Sequence, residues 1–323
     1  MNKPIAIVAG EPNSISSEII FKSWKLRKNY KHKPIVIIGS MKLLNLQKKK
    51  LNFNISIKKI NKNFNLQNIN RNNLHVFDVN FKQGKAFQKI SSNSNKYIFK
   101  CFEVALNLVK EKKIAGIINC PVSKETLFKN NHQGITEFLS KKENVRGKEV
   151  MLIYNKKLSV SPVTTHITLR EVHRKINKDL IVNKIKTINS FYKKILKKTP
   201  HIGVLGLNPH NFTSKIKDEK KNIILAINKI KKFNIKVKGP ISPDTSFMFY
   251  KKNKFDVIVG MYHDQVLTPF KALYKYDAIN ITLGLSFIRI SPDHGTAEDI
   301  SGKKIANPKS LIESIKFFNN INN

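Results

Sequence analysis

A mixed α/β fold of two lobes, built mostly from parallel sheet, is what this sequence predicts. Three observations predict it. Short apolar runs alternate with amphipathic helical segments along the chain, several of those runs are almost unbroken by polar residues, and 323 residues exceed one average domain. Each lobe is expected to be an α/β/α layer structure. A hydrophobic content of 41% is enough to build real cores.

The strand-like runs are 5–9, 34–39, 74–79, 114–119, 150–154, 158–164, 202–207, 256–260 and 279–283. Apolar segments of this length suit strands buried on both faces. Between them, 97–110 places Ile98, Phe102, Ala105 and Val109 on one helical face, and 179–197 does the same with Ile181, Ile185, Ile188, Tyr192 and Ile195. The stretch 217–232 carries Ile223, Ile227 and Ile230, with Asp218 and Glu219 near its start, where the helix dipole favours acids. The stretch 310–319 carries Leu311, Ile315 and Phe318. The segment 48–73 is rich in Asn and Lys, lacks periodicity and reads as a variable surface excursion. No internal repeat and no Gly/Ser linker is present, which predicts lobes joined by crossing strands with a cleft between them.

The net charge of +39 raises the question of nucleic acid. Lysine is spread along the whole chain, often beside asparagine, as an AT-rich genome would produce, and no aromatic-interleaved basic block stands out. Neither a nucleic-acid nor a membrane partner is expected, although the charge can steer an anionic substrate. No apolar run is long enough to cross a bilayer, and the first run meets Gly10-Glu11-Pro12 at once, a turn rather than a signal peptide. Cys101 and Cys120 form no CxxC pair, so a reduced, cytoplasmic chain is expected.

Three histidines each follow a strand-like run: His166 in Val163-Thr164-Thr165-His166, His210 in Leu207-Asn208-Pro209-His210, and His263 in Met261-Tyr262-His263-Asp264. Open parallel sheets bind ligands outside the carboxyl ends of their strands, and three neutral imidazoles meeting there make a divalent-metal site. Their spacing matches no local metal motif, so the expectation rests on position. His32, His75, His132, His173, His201 and His294 lack this pattern.

Two further stretches carry chemistry. In 293–308, Gly295 and Gly302 permit a tight loop with close approach to a ligand, Asp299 can accept from a ribose, and Asn307 can bond an adenine edge. The same stretch also reads as a surface turn into the last helix. No Gly-x-Gly-x-x-Gly follows the first strand, so an ordinary Rossmann dinucleotide site has no support. Lys271, Asn280 and Arg289 form an anion-binding set. Arg289 follows Leu285-Ser286-Phe287-Ile288, where its guanidinium needs a protein carboxylate or a ligand phosphate. Thr136-Glu137 reads as a helix start, another anion site.

Met261-Tyr262-His263-Asp264-Gln265, Gly206-Leu207-Asn208-Pro209-His210, Thr164-Thr165-His166 and Asn280-Ile281-Thr282-Leu283-Gly284-Leu285 with Phe287-Ile288-Arg289 together resemble the 4-hydroxythreonine-4-phosphate dehydrogenase family of pyridoxine (vitamin B6) biosynthesis. The likeness runs from Ile5 to the C-terminal helix. The stretch 293–308 also resembles the adenine-side cofactor loop of the isocitrate and isopropylmalate dehydrogenase fold. The resemblance implies that fold, with a first lobe of 1–120 plus 296–323 carrying the cofactor loop, and a second lobe of 121–295 carrying metal ligands and a dimer interface.

It implies His166, His210 and His263 as ligands of one zinc, magnesium or cobalt ion, in an interdomain site shared across a homodimer with His263 from the partner. It implies Thr136, Lys271, Asn280 and Arg289 as substrate contacts, and His294, Gly295, Thr296, Asp299 and Asn307 as contacts of NAD or NADP. The implied reaction is oxidation of 4-phosphooxy-L-threonine at C3, then decarboxylation to 3-amino-2-oxopropyl phosphate. Asp244, Asp264 and Lys271 are the candidates for proton transfer, for orienting the ligands or for neutralising charge. The chain departs from the family twice. Ile135 stands where the run Gly-His-Thr-Glu has its substrate-contacting histidine, and serines replace glycines after Gly10-Glu11-Pro12. The first departure brings in related phosphorylated tetronates, phosphothreonate or phosphoerythronate, as alternative substrates.

Overall fold

The computed structural model of the protein describes residues 3–61, 64, 69, 72–128, 134–145, 147–211, 219–275 and 277–321. His132, Lys217 and Asp218 lie outside them. The chain forms two compact units, Met1–Gly134 with Phe287–Asn323, and Ile135–Ser286.

The first unit is built on β1 (Ile5–Val8), β2 (Ile35–Gly39), β3 (Ile57–Ile60), β4 (Leu74–Asp78), β5 (Gly116–Asn119) and β12 (Ile288–Pro292). They run parallel in the order β3-β4-β2-β1-β5-β12. β1, β2 and β5 are buried at every residue, which is why their sequences are unbroken runs of Ile, Val, Ala and Gly, with one Asn. Around this sheet lie α1 (Ser16–Lys25), α2 (Met41–Lys50), α3 (Asn95–Lys110), α4 (Lys124–Phe128) and α11 (Lys309–Asn320). α11 packs on β5 and β12 through Leu311, Ile315 and Phe318.

The second unit contains α5 (Ile135–Lys142), β6 (Val150–Tyr154), β7 (Ser159–Pro162), α6 (Leu169–Lys175), α7 (Lys178–Lys194), β8 (Ile202–Leu205), α8 (Leu225–Lys231), β9 (Val237–Ile241), α9 (Pro243–Ser246), β10 (Val257–Gly260), α10 (His263–Tyr274) and β11 (Ile279–Leu283). Its strand order is β11-β6-β7-β10-β8-β9, parallel from β7 to β9, with β6 antiparallel to both neighbours. Val160 of β7 joins a core with Val266, Leu267 and Phe270 of α10, whereas Ser159 bonds the Tyr192 hydroxyl of α7 at 2.8 Å. Adjacent strand residues face opposite sides, so α10 and α7 cover opposite faces of this sheet.

All nine strand-like runs contain strands. The structure corrects other expectations. β3 lies inside the segment read as a surface excursion; it is a half-buried strand with two lysines at its centre, so it shows no apolar run. β9, at the other end of its sheet, includes Gly239 and Pro240, residues that argue against a strand. α1 begins at Ser16, inside the serine run that follows Gly10-Glu11-Pro12. There Ser14 Oγ bonds Glu11 O and Ser16 Oγ, both at 2.7 Å, so Ser14 and Ser16 are buried and satisfied, whereas the buried Ser17 Oγ finds no partner among the described residues. Gly10 itself, at φ 74°, is required, since a Cβ would lie 2.4 Å from Pro121 O.

The lobe boundaries move as well. Residues 121–134 and 287–295 belong to the first unit, because β12 pairs with β5 and carries Arg289 with it. No helix among the described residues is long and apolar enough to cross a membrane.

The close approach of α11 and β12 to β5 is made possible by Gly116, where a Cβ would meet Ile288 O and Phe318 Cε1, both at 2.5 Å. Replacing Gly116 by Ala is expected to lower the unfolding free energy by about 1–3 kcal/mol through overpacking. A urea titration reads this as a lower midpoint; an unchanged midpoint would show that β12 can give way without cost.

Candidate active site

β7, β10 and β8 are adjacent and parallel, so their carboxyl ends open on one edge of the second unit's sheet. His166 lies in the loop after β7, His210 in the short 3-10 turn after β8, and His263 is the first residue of α10 after β10. Hydrogen bonds lace these three exits together. Val163 N donates to Gly260 O at 2.7 Å, while Thr164 donates to Met261 O through its N–H at 3.1 Å and its hydroxyl at 2.7 Å. Gln265 then spans the other gap, accepting from Met261 N at 2.6 Å and donating to Gly206 O at 2.8 Å.

The rings of His166 and His263 stand 6.0 Å apart between centroids. Two imidazoles on one tetrahedral ion, each at the usual metal–nitrogen distance, have centroids roughly 5–6 Å apart. The pair therefore has the separation of two ligands on one ion, at the adjoining exits of β7 and β10. Among the described residues, no group of three or more His, Cys, Asp and Glu is placed to hold an ion. His210 is accordingly not brought to the other two, and two-thirds of its side chain is exposed. It adopts the left-handed region (φ 54°, ψ 12°), a conformation that costs a non-glycine residue about 1–2 kcal/mol and collects at functional sites.

Each histidine has its own carboxylate near Nδ1. His263 Nδ1 lies 2.7 Å from Asp264 Oδ1, His166 Nδ1 3.6 Å from Glu137 Oε1, and His210 Nδ1 3.9 Å from Asp244 Oδ2. An ionised carboxylate only accepts, so the His263 proton sits on Nδ1 and its Nε2 lone pair is free to ligate. A hydrogen bond from Ser242 holds the Asp244 carboxyl below its ordinary range, with Thr245 N also donating to it at 2.9 Å. Asp244 and Asp264 thus stand beside the ligand candidates His210 and His263.

Lys271 is exposed on α10, eight residues beyond His263 and so about 12 Å along the axis. On β11, Asn280 Oδ1 is buried without a hydrogen-bond partner among the described residues, an acceptor that a ligand hydroxyl or amine would satisfy. Asn280 and Thr282 point to the same face, and Thr136 Oγ1 lies 3.4 Å from Thr282 Oγ1, which brings Thr136 and Asn280 to one side of the strand. Ile135, one residue earlier, is buried in the core at 4% exposure and offers nothing polar. Arg289 belongs to the first unit, is 3% exposed, and donates from Nε to Asn119 Oδ1 at 2.7 Å.

The candidate cofactor residues also lie in the first unit. Burial pushes the His294 imidazole below its ordinary pKa, keeping it neutral. A Cβ on Gly295 would meet nothing within 4 Å, so open space lies beside it, whereas Gly302 needs its φ of 77° and packs on Phe87. Thr296 O accepts from Ile15 N at 3.1 Å. Asp299 is exposed, and so is Asn307, whose Oδ1 also accepts from Lys309 N at 2.9 Å at the start of α11. Asn307 therefore holds the turn into the last helix, and its amide NH2 is a donor of the kind an adenine edge accepts.

Sequence reasoning missed Gln265 and Glu137 as parts of this site. Gln265 stood within a quoted motif but shows its role only once β8 is known to lie beside β10. Lys184 was missed too. Burial lowers its pKa, against the opposing pull of Glu149 and Glu137.

The protein-family model described as pyridoxal phosphate biosynthetic protein PdxA matches residues 31–318. The chain is 38% identical over 318 residues to a 4-hydroxythreonine-4-phosphate dehydrogenase of Sulfurihydrogenibium sp., covering 97% of this chain and 96% of that one. It is 33% identical over 321 residues to a D-threonate 4-phosphate dehydrogenase of Salmonella typhimurium, covering 97% of each. Its structure matches the crystal structure of a 4-hydroxythreonine-4-phosphate dehydrogenase from Klebsiella pneumoniae with a TM-score of 0.87 at 31% identity, covering 99% of this chain and 98% of that one. With the strand-end histidines already in place, these matches show that the chain belongs to the PdxA family of pyridoxal phosphate biosynthetic proteins.

Proposed function

We propose that the protein is a metal-assisted, NAD(P)-dependent dehydrogenase that oxidises 4-phosphooxy-L-threonine at C3 and decarboxylates the product to 3-amino-2-oxopropyl phosphate, in pyridoxine 5'-phosphate biosynthesis. The observation that carries this reading is the His166–His263 pair at the laced strand ends, with Asp264 and Glu137 behind the rings. A bound divalent ion would acidify the substrate hydroxyl and stabilise the enolate left by decarboxylation, while the nicotinamide would accept the hydride from C3.

The chain's own residues do the rest. Asp264 and Glu137 fix their imidazoles with Nε2 toward the ion. Asp244, held ionised by Ser242, and Asp264 are the candidate acceptors of the hydroxyl proton. Asn280 Oδ1 takes a substrate donor, Thr136 a second contact on the same face, and Lys271 and Arg289 counter the anionic groups. The loop 293–308 holds the adenine half of the dinucleotide. The chain acts as a homodimer whose two copies share the metal site, and the exposed His210 with Asp244 is placed where a second copy can complete it.

A second reading keeps the chemistry and changes the substrate to a phosphorylated tetronate such as phosphothreonate. It is favoured by the buried Ile135, which removes a polar contact, and by relatives that carry the D-threonate 4-phosphate dehydrogenase name.

NADH or NADPH formation with 4-phosphooxy-L-threonine is expected to need a divalent ion, to stop with a chelator and to return with zinc, magnesium or cobalt. Folded protein that turns over neither this substrate nor phosphothreonate sinks both readings; turnover of phosphothreonate alone selects the second. Glu137→Gln is expected to weaken metal binding about 10-fold to 100-fold, as loss of an orienting carboxylate does. A chelator-competition titration measures this without turnover, and unaltered affinity would remove Glu137 from the site. Gln265→Leu is expected to weaken metal affinity as well, by freeing the loop at Gly206 from Met261. The same titration checks it, and wild-type affinity would mean the lacing is dispensable.

A further inference from the structure

The helix α1 reaches the loop 293–308 through one charged pair. Glu18, fully buried, accepts from Lys304 N through Oε2 at 3.1 Å and from Ala306 N through Oε1 at 2.7 Å. Lys22, one turn later, donates from Nζ to Lys304 O at 2.9 Å and to Ala306 O at 2.7 Å, and lies 2.8 Å from Glu18 Oε1. The backbone N–H and C=O of both residues are therefore held by side chains of a single helix. Ile305, between them, turns outward and is 65% exposed, while Ala306 is buried. An exposed isoleucine is unremarkable on a loose loop. On a backbone fixed by four hydrogen bonds it is an apolar surface of defined position, flanked in sequence by the exposed Asn307 and, across the same loop, by the exposed Asp299.

We propose that the Glu18–Lys22 pair is a positioning clamp for the adenine half of the dinucleotide, holding Ile305 out as the apolar platform for the base. A purine needs a flat apolar contact for its face and polar groups for its edge and ribose. Ile305 supplies the first, Asn307 and Asp299 the second. The clamp makes their spacing independent of whether ligand is present, so binding does not have to order the loop. This deepens the reading of 293–308 as the cofactor loop and rests on it.

Equilibrium binding of ADP-ribose and of nicotinamide mononucleotide to the full chain, without substrate or metal, tests the clamp. Lys22→Met keeps the aliphatic stem and loses both donors; Ile305→Ser alters only an exposed side chain. Both are expected to weaken ADP-ribose binding about tenfold, the size of one charge-assisted hydrogen bond or a lost apolar contact, and to leave the mononucleotide unchanged. Amide hydrogen exchange at Lys304 and Ala306 should accelerate in Lys22→Met and stay at wild-type rates in Ile305→Ser. If Asp299→Ala leaves ADP-ribose binding unaltered, or wild type does not bind ADP-ribose, the cofactor-loop reading falls and the clamp's role with it. If Asp299→Ala weakens binding and either Lys22→Met or Ile305→Ser does not, the clamp alone is overturned.

Discussion

The parallel alignment of β7, β10 and β8 is the constraint on which the candidate site depends. Three parallel neighbours must end on one edge, so chain segments far apart in sequence leave the sheet side by side. Alignment alone leaves each exit loop free to wander. The Thr164–Met261 and Met261–Gln265–Gly206 bonds remove that freedom, and they do so with backbone partners whose positions the sheet already sets. Each such bond contributes only about 1 kcal/mol to stability. Its effect on geometry is larger, because a ligand displaced by about 1 Å loses much of what a preorganised site supplies.

Charge makes the same point from another side. The chain has 60 Lys and Arg against 21 Asp and Glu. In so basic a protein a carboxylate finds cations almost anywhere, and surface pairs of that kind are worth little. Yet each of the three strand-end histidines has a carboxylate on its Nδ1 side, and at His263 that carboxylate is hydrogen-bonded and sets the tautomer. A basic surface would also ease the approach of the phosphorylated acid proposed as substrate.

Much of this architecture is legible in the sequence because parallel strands buried on both faces have to be continuous apolar runs, as in Ile35–Gly39 or Val257–Gly260. The strands that escaped are those where this rule relaxes. β3 keeps Lys58 and Lys59 at its centre, β9 contains Gly and Pro, and β12 is interrupted by Arg289 and Ser291. The histidines were legible through position after such runs, whereas Glu137 and Gln265 were not, since their partners are remote in sequence and come close only through the sheet order. The same holds for His263. Its closeness to His166 comes only from the start of α10 beside the loop after β7. Ile135 is legible as a departure but not as a consequence: only the structure shows that the side chain is buried.

The buried Glu18 poses a different question, because a buried ion pair is weak grounds for stability. Desolvating two charges costs several kcal/mol, and a hydrophobic pair of similar volume often does as well. Here that exchange is closed off. An apolar residue at 18 would leave the N–H groups of Lys304 and Ala306 with no acceptor, each at a cost of about 1–3 kcal/mol, and an apolar residue at 22 would release the matching carbonyls. The pair is thus kept in place by the polar backbone it faces, not by its own attraction. That backbone is irregular because it turns from the short 3-10 segment at Glu298–Ile300 toward α11, where no strand or helix could satisfy it. A loop free of this geometry would need no clamp; a loop that must present Asp299, Ile305 and Asn307 in fixed relation cannot be made from regular structure and has to borrow its hydrogen bonds from α1.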